Sequence, residues 1–317
     1  MSPRRGNIYI LCILFNQLLI MFLVAVFNPV IPSSPYGFAS FVILTQLFCF
    51  VPPLLIYSLV VKPKKLLRFT PISLMNAVLI VLMCLFIQPA MLVLSALSMI
   101  FFENPVTGML SDLSATPLPV ALIVLAIMPS VLEEITMRGV VQRNYESVPI
   151  GKAALVNGFL FGILHLNPQQ FLYAMMLGVI FAYFMHYAES LWAPILGHFT
   201  INATQIIMAT VSMRVTQSMP EQQVLLESIT GDEIVGLVIS LVILNVICLP
   251  AFLVLFKSFV DYNKRRRAVR DAARPVPVSI DETVAEEAPV PAPARVVDWA
   301  FIAIVLFYIG FMLLLRA

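Results

Sequence analysis

Pro129-Ser-Val-Leu-Glu-Glu-Ile-Thr-Met-Arg138 is the stretch that decides the fold class and the chemistry of this chain. It lies inside a long apolar run that begins near Leu118, and Arg138 is the one opposite charge close to Glu133 and Glu134. An ionised carboxylate in hydrocarbon is energetically costly, and intramembrane acids therefore point to function by default. We expect a chain that keeps two adjacent carboxylates at membrane depth to use them.

The composition predicts an all-α, polytopic transmembrane helix bundle. Of the 317 residues, 61% are hydrophobic and only 11% are charged, whereas soluble proteins are about 25% charged. A spanning helix needs about 20 apolar residues, and about nine segments qualify. These segments are about Ile8–Phe27, Phe38–Val61, Leu74–Phe102, Leu118–Arg138, Lys152–Leu166, Gln170–Tyr187, Leu191–Met213, Ile234–Phe259 and Trp299–Leu315.

The distribution of basic residues predicts the orientation. If the N-terminus lies in the cytoplasm and nine spans alternate, 17 of the 19 Lys and Arg residues fall on the cytoplasmic side, and only Arg214 and Arg316 do not. Such an asymmetry is what the positive-inside rule requires. Before the last span, a basic cluster at Lys264–Arg267 precedes an acidic, Pro-rich stretch, Pro275–Ala294, which is typical of a disordered linker. The cluster is interpreted as a topology signal, with binding of anionic lipid headgroups as the alternative.

Polar residues on three of the predicted spans fall at helical spacing. Glu134 and Arg138 are four apart and can pair, while Glu133 is turned about 100° away from Glu134. In the fifth span, Phe161 and His165 share a stripe with Asn157, beside a small-residue stripe of Gly158 and Gly162 that allows close helix approach. In the seventh span, His198 and Asn202 are four apart.

These residue types suit peptide-bond hydrolysis without a covalent step. A carboxylate can take a proton from water and an imidazole can hold that water or protonate the leaving amine, while imidazole and carboxamide donors can stabilise an oxyanion. Ser130 is a weaker candidate, as a nucleophile, because no base stands at a suitable spacing. Glutamate with two histidines could also bind zinc, although there is no His-Glu-x-x-His. The same residues could instead serve helix packing or a transporter's proton or ion path.

The three motifs together resemble a known family. Glu133-Glu134-x-x-x-Arg138, Phe161-x-x-x-His165 and His198-x-x-x-Asn202, with Ser190-Leu-Trp-Ala-Pro-Ile-Leu-Gly before the last, resemble the signature of the CPBP family over about residues 118–212. That family comprises type II CAAX prenyl endopeptidases, bacteriocin-processing and self-immunity proteins, and relatives of the lysostaphin-resistance membrane protein.

The resemblance implies an intramembrane endopeptidase of the glutamate type. Glu133 would activate water with His165, while His198 and Asn202 would stabilise the oxyanion; Glu134, Arg138 and Phe161 would support them. No cofactor is expected, although zinc on Glu133, His165 and His198 remains an alternative, as does a non-catalytic scaffold or self-immunity protein. The expected setting is the prokaryotic plasma membrane, and the expected partners are the bilayer and a peptide or membrane-protein substrate, with no nucleic acid.

The predicted organisation follows from the spans and the resemblance. Residues 1–117 hold three N-terminal transmembrane helices, and 118–212 hold a four-helix catalytic core. The eighth span falls in 213–259, the basic and then Pro/acidic cytoplasmic linker in 260–297, and the last span in 298–317.

Overall fold

A computed structural model describes residues 2–27, 36–62, 67–102, 116–218, 231–273 and 295–314. Within these ranges every regular element is helical, so the all-α bundle predicted from composition is confirmed. The Pro-rich turn at 29–35, most of the basic loop at 62–68, the polar stretches at 103–115 and 219–230, and the Pro/acidic part of the linker at 275–294 lie outside the described residues.

Ten helices account for the described part of the chain, and each of the nine predicted segments coincides with helix. The third segment is split at Ile87, two residues before Pro89, which carries no backbone N–H to continue the helical pattern. The eighth segment, predicted to end at Phe259, continues as helix to Ala272 and includes the basic cluster Lys264–Arg267 that was assigned to the linker. The helices are α1 Pro3–Phe27, α2 Gly37–Val61, α3 Leu74–Phe86, α4 Gln88–Met99, α5 Leu118–Asn144, α6 Ile150–Leu164, α7 Pro168–Ala188, α8 Trp192–Ser218, α9 Gly231–Ala272 and α10 Trp299–Leu314.

Six stretches of the described helices are long and apolar enough to cross a membrane. They correspond to α1, α2, α3 with α4, α5, α7 and most of α9, whereas α6 and α10 are apolar but shorter. Helix α8, with 27 residues, belongs to neither group. Large apolar side chains on the outer faces of these helices are exposed, for example Phe22, Leu59 and Val254, which suits a bundle surrounded by lipid rather than water.

The closest helix packing joins α6 to α7 through glycines. A Cβ atom placed on Gly158 would lie 2.5 Å from the carbonyl oxygen of Met175, and one placed on Gly178 would lie 2.6 Å from the Cα of Gly158. Real Cβ contacts are not this short, so both positions require glycine if the two backbones are to stay together. The small-residue stripe of Gly158 and Gly162 therefore allows the close helix approach that it predicts. This packing also brings the carbonyl oxygen of Gly178 close to α5.

A buried polar network fixes the last helix to the first. The hydroxyl of Tyr145 donates to Asn7 Oδ1 at 2.5 Å, and Asn7 Nδ2 donates to the carbonyl of Val296 at 3.2 Å and to Asp298 Oδ1 at 3.1 Å. Beyond this network, Phe15 packs edge-on against Phe307 of α10, with ring centroids 5.7 Å apart. Helix α10 is thereby part of the same packed body as α5, the helix that carries both acids.

Candidate active site

The helix that carries the two acids is locally irregular. Within α5 the turns Ile123–Ile127 and Ile135–Val141 are π-helical, and they flank the α-helical turn Met128–Glu134. Pro129 has no N–H to donate to the carbonyl oxygen of Leu125, four residues earlier, so the regular pattern of backbone hydrogen bonds is interrupted there. π-helical turns are often found at functional sites, and here they set the direction in which Glu133 and Glu134 leave the helix.

Three side-chain amides from other helices bond to carbonyl oxygens of these irregular turns. Gln46 of α2 donates to Val124 at 3.3 Å, Asn202 of α8 donates to Leu125 at 3.3 Å, and Asn157 of α6 donates to Met137 at 3.1 Å. An unpaired carbonyl in an apolar interior is costly. The amides thus stabilise the irregular helix and hold it against α2, α6 and α8.

Glu134 and Arg138 form a fully buried ion pair. Arg138 Nη1 lies 2.9 Å from Glu134 Oε1, and both side chains are 0% exposed. The other terminal nitrogen of Arg138 donates to the Gly178 carbonyl at 2.9 Å. The guanidinium also lies over the rings of Phe161 and Phe181, at 4.8 and 5.4 Å from their centroids. The pairing expected from the spacing of four is therefore present, and it is anchored to α6 and α7.

His198 joins the two acids. Its Nδ1 lies 2.9 Å from Glu134 Oε1, and its Nε2 lies 4.0 Å from Glu133 Oε2. Because an ionised carboxylate can only accept, Nδ1 carries a hydrogen. Phe181 stacks on the imidazole at 5.5 Å and Phe161 meets it edge-on at 5.9 Å. The ring is thus held in one orientation, with Nε2 turned towards Glu133.

His165 lies at the end of α6, just before a break in the chain direction. Its Nδ1 is 2.8 Å from the carbonyl oxygen of Phe161, which can only accept, so the hydrogen is on Nδ1. In the neutral ring Nε2 is then an acceptor. The following Leu166 has a φ of 47°, and Asn167 caps α7 by accepting from the N–H of Gln169. This sharp turn is what places an imidazole at the edge of the bundle interior rather than along a continuous helix.

Two cavities meet at Glu133 and His165. One, of about 400 Å³, is lined by all four side chains predicted to be catalytic, Glu133, His165, His198 and Asn202, and by Phe161. A second, of about 330 Å³, is lined by Glu133 and His165 on one side and by α1 and α2 on the other. Glu134 and Arg138 line neither cavity and lie behind Glu133.

Two glutamines of the N-terminal helices also belong to this region and are absent from the sequence-based set. Gln17 donates to the carbonyl of Leu164 at 3.0 Å, and Gln46 lines both cavities. Each has its Oε1 atom buried with no hydrogen-bond partner in the described part of the chain. The sequence-based set started from ionisable residues and therefore did not include these glutamines. An isolated glutamine in an apolar span is the sequence feature that could have identified them.

The alternatives based on Ser130 and on a metal find little support in the geometry. Ser130 is buried and donates to the carbonyl of Ala126 at 2.5 Å, within its own helix. Among the described residues, His, Cys, Asp and Glu side chains form no group of three that could hold a metal ion, so Glu133, His165 and His198 do not make such a group. The described residues therefore offer no preformed ligand group for the zinc alternative.

Part of the chain matches a protein-family model. Residues 115–204 match the Rce1-like family, described as "Type II CAAX prenyl endopeptidase Rce1-like". The matched segment contains all three motifs, and the resemblance drawn from them is confirmed. No curated protein matches the chain, and no solved structure does. The match covers less than a third of the 317 residues, namely most of α5 to α8, and together with the long apolar helices it supports a membrane protein of CAAX-protease type.

Proposed function

We propose that this chain is an intramembrane endopeptidase in which Glu133 activates a water molecule for attack on a peptide bond. The observation that carries the proposal is the cavity of about 400 Å³, because it is lined by Glu133, His165, His198 and Asn202, which come from three different helices. A general base, a second proton-transfer group and two oxyanion donors around one cavity are the components that such hydrolysis needs.

Glu133 is the base that the geometry favours over Glu134. Its side chain is 17% exposed and lines both cavities, whereas Glu134 is 0% exposed, lines neither cavity and accepts from both Arg138 and His198 at Oε1. A water held between Glu133 and the acceptor Nε2 of His165 would lose a proton to the carboxylate as its oxygen adds to the carbonyl carbon. The proton would then pass to the leaving amine nitrogen as the C–N bond breaks.

His198 and Asn202 are assigned to the oxyanion of the tetrahedral intermediate. Asn202 Nδ2 uses one hydrogen for the carbonyl of Leu125 and keeps a second. Since Nδ1 of His198 already donates to Glu134, donation from Nε2 requires the ring to carry both protons. The buried charges then balance, because Glu133 and Glu134 oppose Arg138 and the imidazolium. Glu134 and Arg138 are positioning residues in this scheme.

The substrate proposed is a peptide or a membrane-protein segment that enters from the bilayer or its cytoplasmic surface. Two other functions stay as alternatives, a zinc-dependent peptidase and a non-catalytic scaffold or self-immunity protein. A scaffold would keep its cellular function without Glu133, and a metalloprotease would lose activity to a chelator and recover it with zinc.

The test compares cells that carry the wild type, Glu133→Gln or Ser130→Ala, by mass spectrometry of membrane-associated and secreted peptides. The first variant is nearly isosteric and removes the base, so specific cleavage products should fall at least about 100-fold. Ser130→Ala, one turn away on the same helix, is the matched control and should leave the products in place.

Two results would overturn the proposal. Identical peptide pools in wild type and Glu133→Gln, with a wild-type phenotype that the variant retains, would favour a scaffold. Products that disappear in Ser130→Ala but persist in Glu133→Gln would favour serine chemistry. Purified protein that cleaves its substrate equally with and without a chelator would support the glutamate mechanism over the metal-dependent one.

A further inference from the structure

A third cavity lies where four segments of the chain meet at one end of the bundle. It has a volume of about 270 Å³ and is separate from the two cavities at Glu133. Its walls come from the segment that precedes α3, the last turns of α5 with the start of α6 and the turn between them, the end of α7, and the C-terminal part of α9. The cationic and imidazole side chains that line it are Arg68, Arg138, Arg143, His186 and Arg267.

We propose that this cavity is a binding site for a phosphate-type oxyanion, supplied either by a lipid headgroup or by a free phosphate. The site is independent of the peptidase proposal, because it needs neither Glu133 nor a peptide substrate. All four segments around it belong to the side that the positive-inside rule predicts to be cytoplasmic, and basic pockets between transmembrane helices on that side suit anionic headgroups.

The first observation that supports the site is an excess of positive charge at its rim. Glu146 Oε1 is shared by Arg68, at 3.1 Å, and Arg143, at 3.3 Å. Glu189 is likewise shared by Arg267, at 3.0 Å, and Arg270, at 2.5 Å. Arg270 also lies 3.5 Å from Asp271. Three carboxylates therefore face four guanidinium groups, which leaves one positive charge uncompensated, the amount that one phosphate diester would neutralise.

The second observation is a set of guanidinium donors without acceptors. Arg138, whose side chain is 0% exposed, lines the cavity, and its Nε has no hydrogen-bond partner in the described part of the chain. Arg143 is only 13% exposed, and its Nε is also buried and unpaired there. Unpaired buried donors carry a free-energy cost, and the planar guanidinium matches the spacing of phosphate oxygens. A bound oxyanion would accept hydrogen bonds from these unpaired donors and would also neutralise the excess positive charge at the rim.

The test uses the purified full-length protein and two probes. One is phosphatidylglycerol in nanodiscs of phosphatidylcholine, with retained lipid measured by native mass spectrometry after extraction. The other is inorganic phosphate, added to protein in neutral detergent, with binding measured as a rise in melting temperature. Binding should weaken as the salt concentration rises, because screening reduces interactions between partly exposed charges.

The variants are chosen so that each carboxylate keeps a partner. Arg143→Gln leaves Glu146 with Arg68, and Arg267→Gln leaves Glu189 with Arg270, so both variants should fold. Each should weaken binding about tenfold, the usual effect of losing one hydrogen bond to a charged group. The matched control is Arg265→Gln, because this residue is exposed on the same helix and does not line the cavity.

The two probes separate the sources of the anion. Retention of phosphatidylglycerol without an effect of inorganic phosphate identifies a lipid headgroup, and the reverse identifies a free anion. Two results overturn the proposal: neither probe binds, or Arg265→Gln reduces binding as much as the cavity variants do, which would make the effect one of overall charge. These results leave the peptidase proposal untouched, since binding is measured without catalysis.

Discussion

Replacement of Arg138 by glutamine should be among the most destabilising single changes in the bundle. It removes the charge that faces Glu134 at 2.9 Å while both side chains are fully buried, together with the bond to Gly178 and the contacts with two phenylalanine rings. Breaking a buried ion pair by removing one partner costs about 3–5 kcal/mol, because the other charge is left uncompensated. His198 stays bonded to Glu134 and limits the loss to this range.

The assay is reversible unfolding of the purified protein in mixed micelles, with the free energy of unfolding compared between variants. Arg68→Gln is the control, since the ion pair of Arg68 with Glu146 is 40% and 49% exposed and such pairs contribute about 0–1 kcal/mol. The double variant Glu134→Gln/Arg138→Gln should be less destabilised than the sum of its single changes, because removing both charges leaves none unpaired. A loss below about 1 kcal/mol for Arg138→Gln alone, close to the control, would refute a structural role for the pair.

Three further outcomes are expected in the same unfolding assay. Gly158→Ala should lower the free energy of unfolding by about 1–3 kcal/mol, because the added methyl group would meet the backbone of α7. Gly151→Ala is the control and should be close to neutral, because only the Tyr183 hydroxyl lies nearby, at 3.8 Å. Equal effects of the two changes would contradict the close packing of α6 on α7. Asn7→Ala should lower the free energy of unfolding by about 1–3 kcal/mol, because the buried Tyr145 hydroxyl and the carbonyl oxygen of Val296 would both lose their hydrogen bond to Asn7. A neutral result would contradict this network. A hydrogen bond from an arginine side chain lowers the pKa of Glu189. At a pH above the ordinary pKa of glutamate, the wild type should therefore be more stable than Glu189→Gln, and it should lose that advantage as the pH falls through the lowered pKa. An advantage that grows in acid would contradict the pairing.

Local spacing accounts for the parts of the site that could be predicted from the sequence. Glu134 and Arg138 are four apart on one helix, so their pairing needs no knowledge of the other helices. The stripe of Gly158 and Gly162 likewise predicts that a helix approaches closely, and α7 does so. The three motifs place their polar residues at helical spacing on α5, α6 and α8, and the bundle brings those faces to one cavity.

Long-range geometry accounts for what the sequence did not reveal. The π-helical turns of α5 depend on Pro129 and also on amide donors from three other helices, and only the folded bundle shows those donors. Gln17 and Gln46 lie outside the family match, and their place beside Glu133 follows from how α1 and α2 pack. The bond between His198 and Glu134 joins residues 64 positions apart, which no local pattern specifies.

The adjacency of the two acids has a physical explanation in this arrangement. On one helical turn, neighbouring residues point about 100° apart, so one carboxylate can be buried against Arg138 while the next faces a cavity. Oε1 of Glu134 accepts from both Arg138 and His198 and fixes the direction of the His198 ring. Glu133 keeps an oxygen without a partner in the described part of the chain, 4.0 Å from the same ring. Glu134 orients the imidazole from a buried position that reaches neither cavity, so the acid that faces the cavities is the one left for a water molecule, and the pair separates these two tasks.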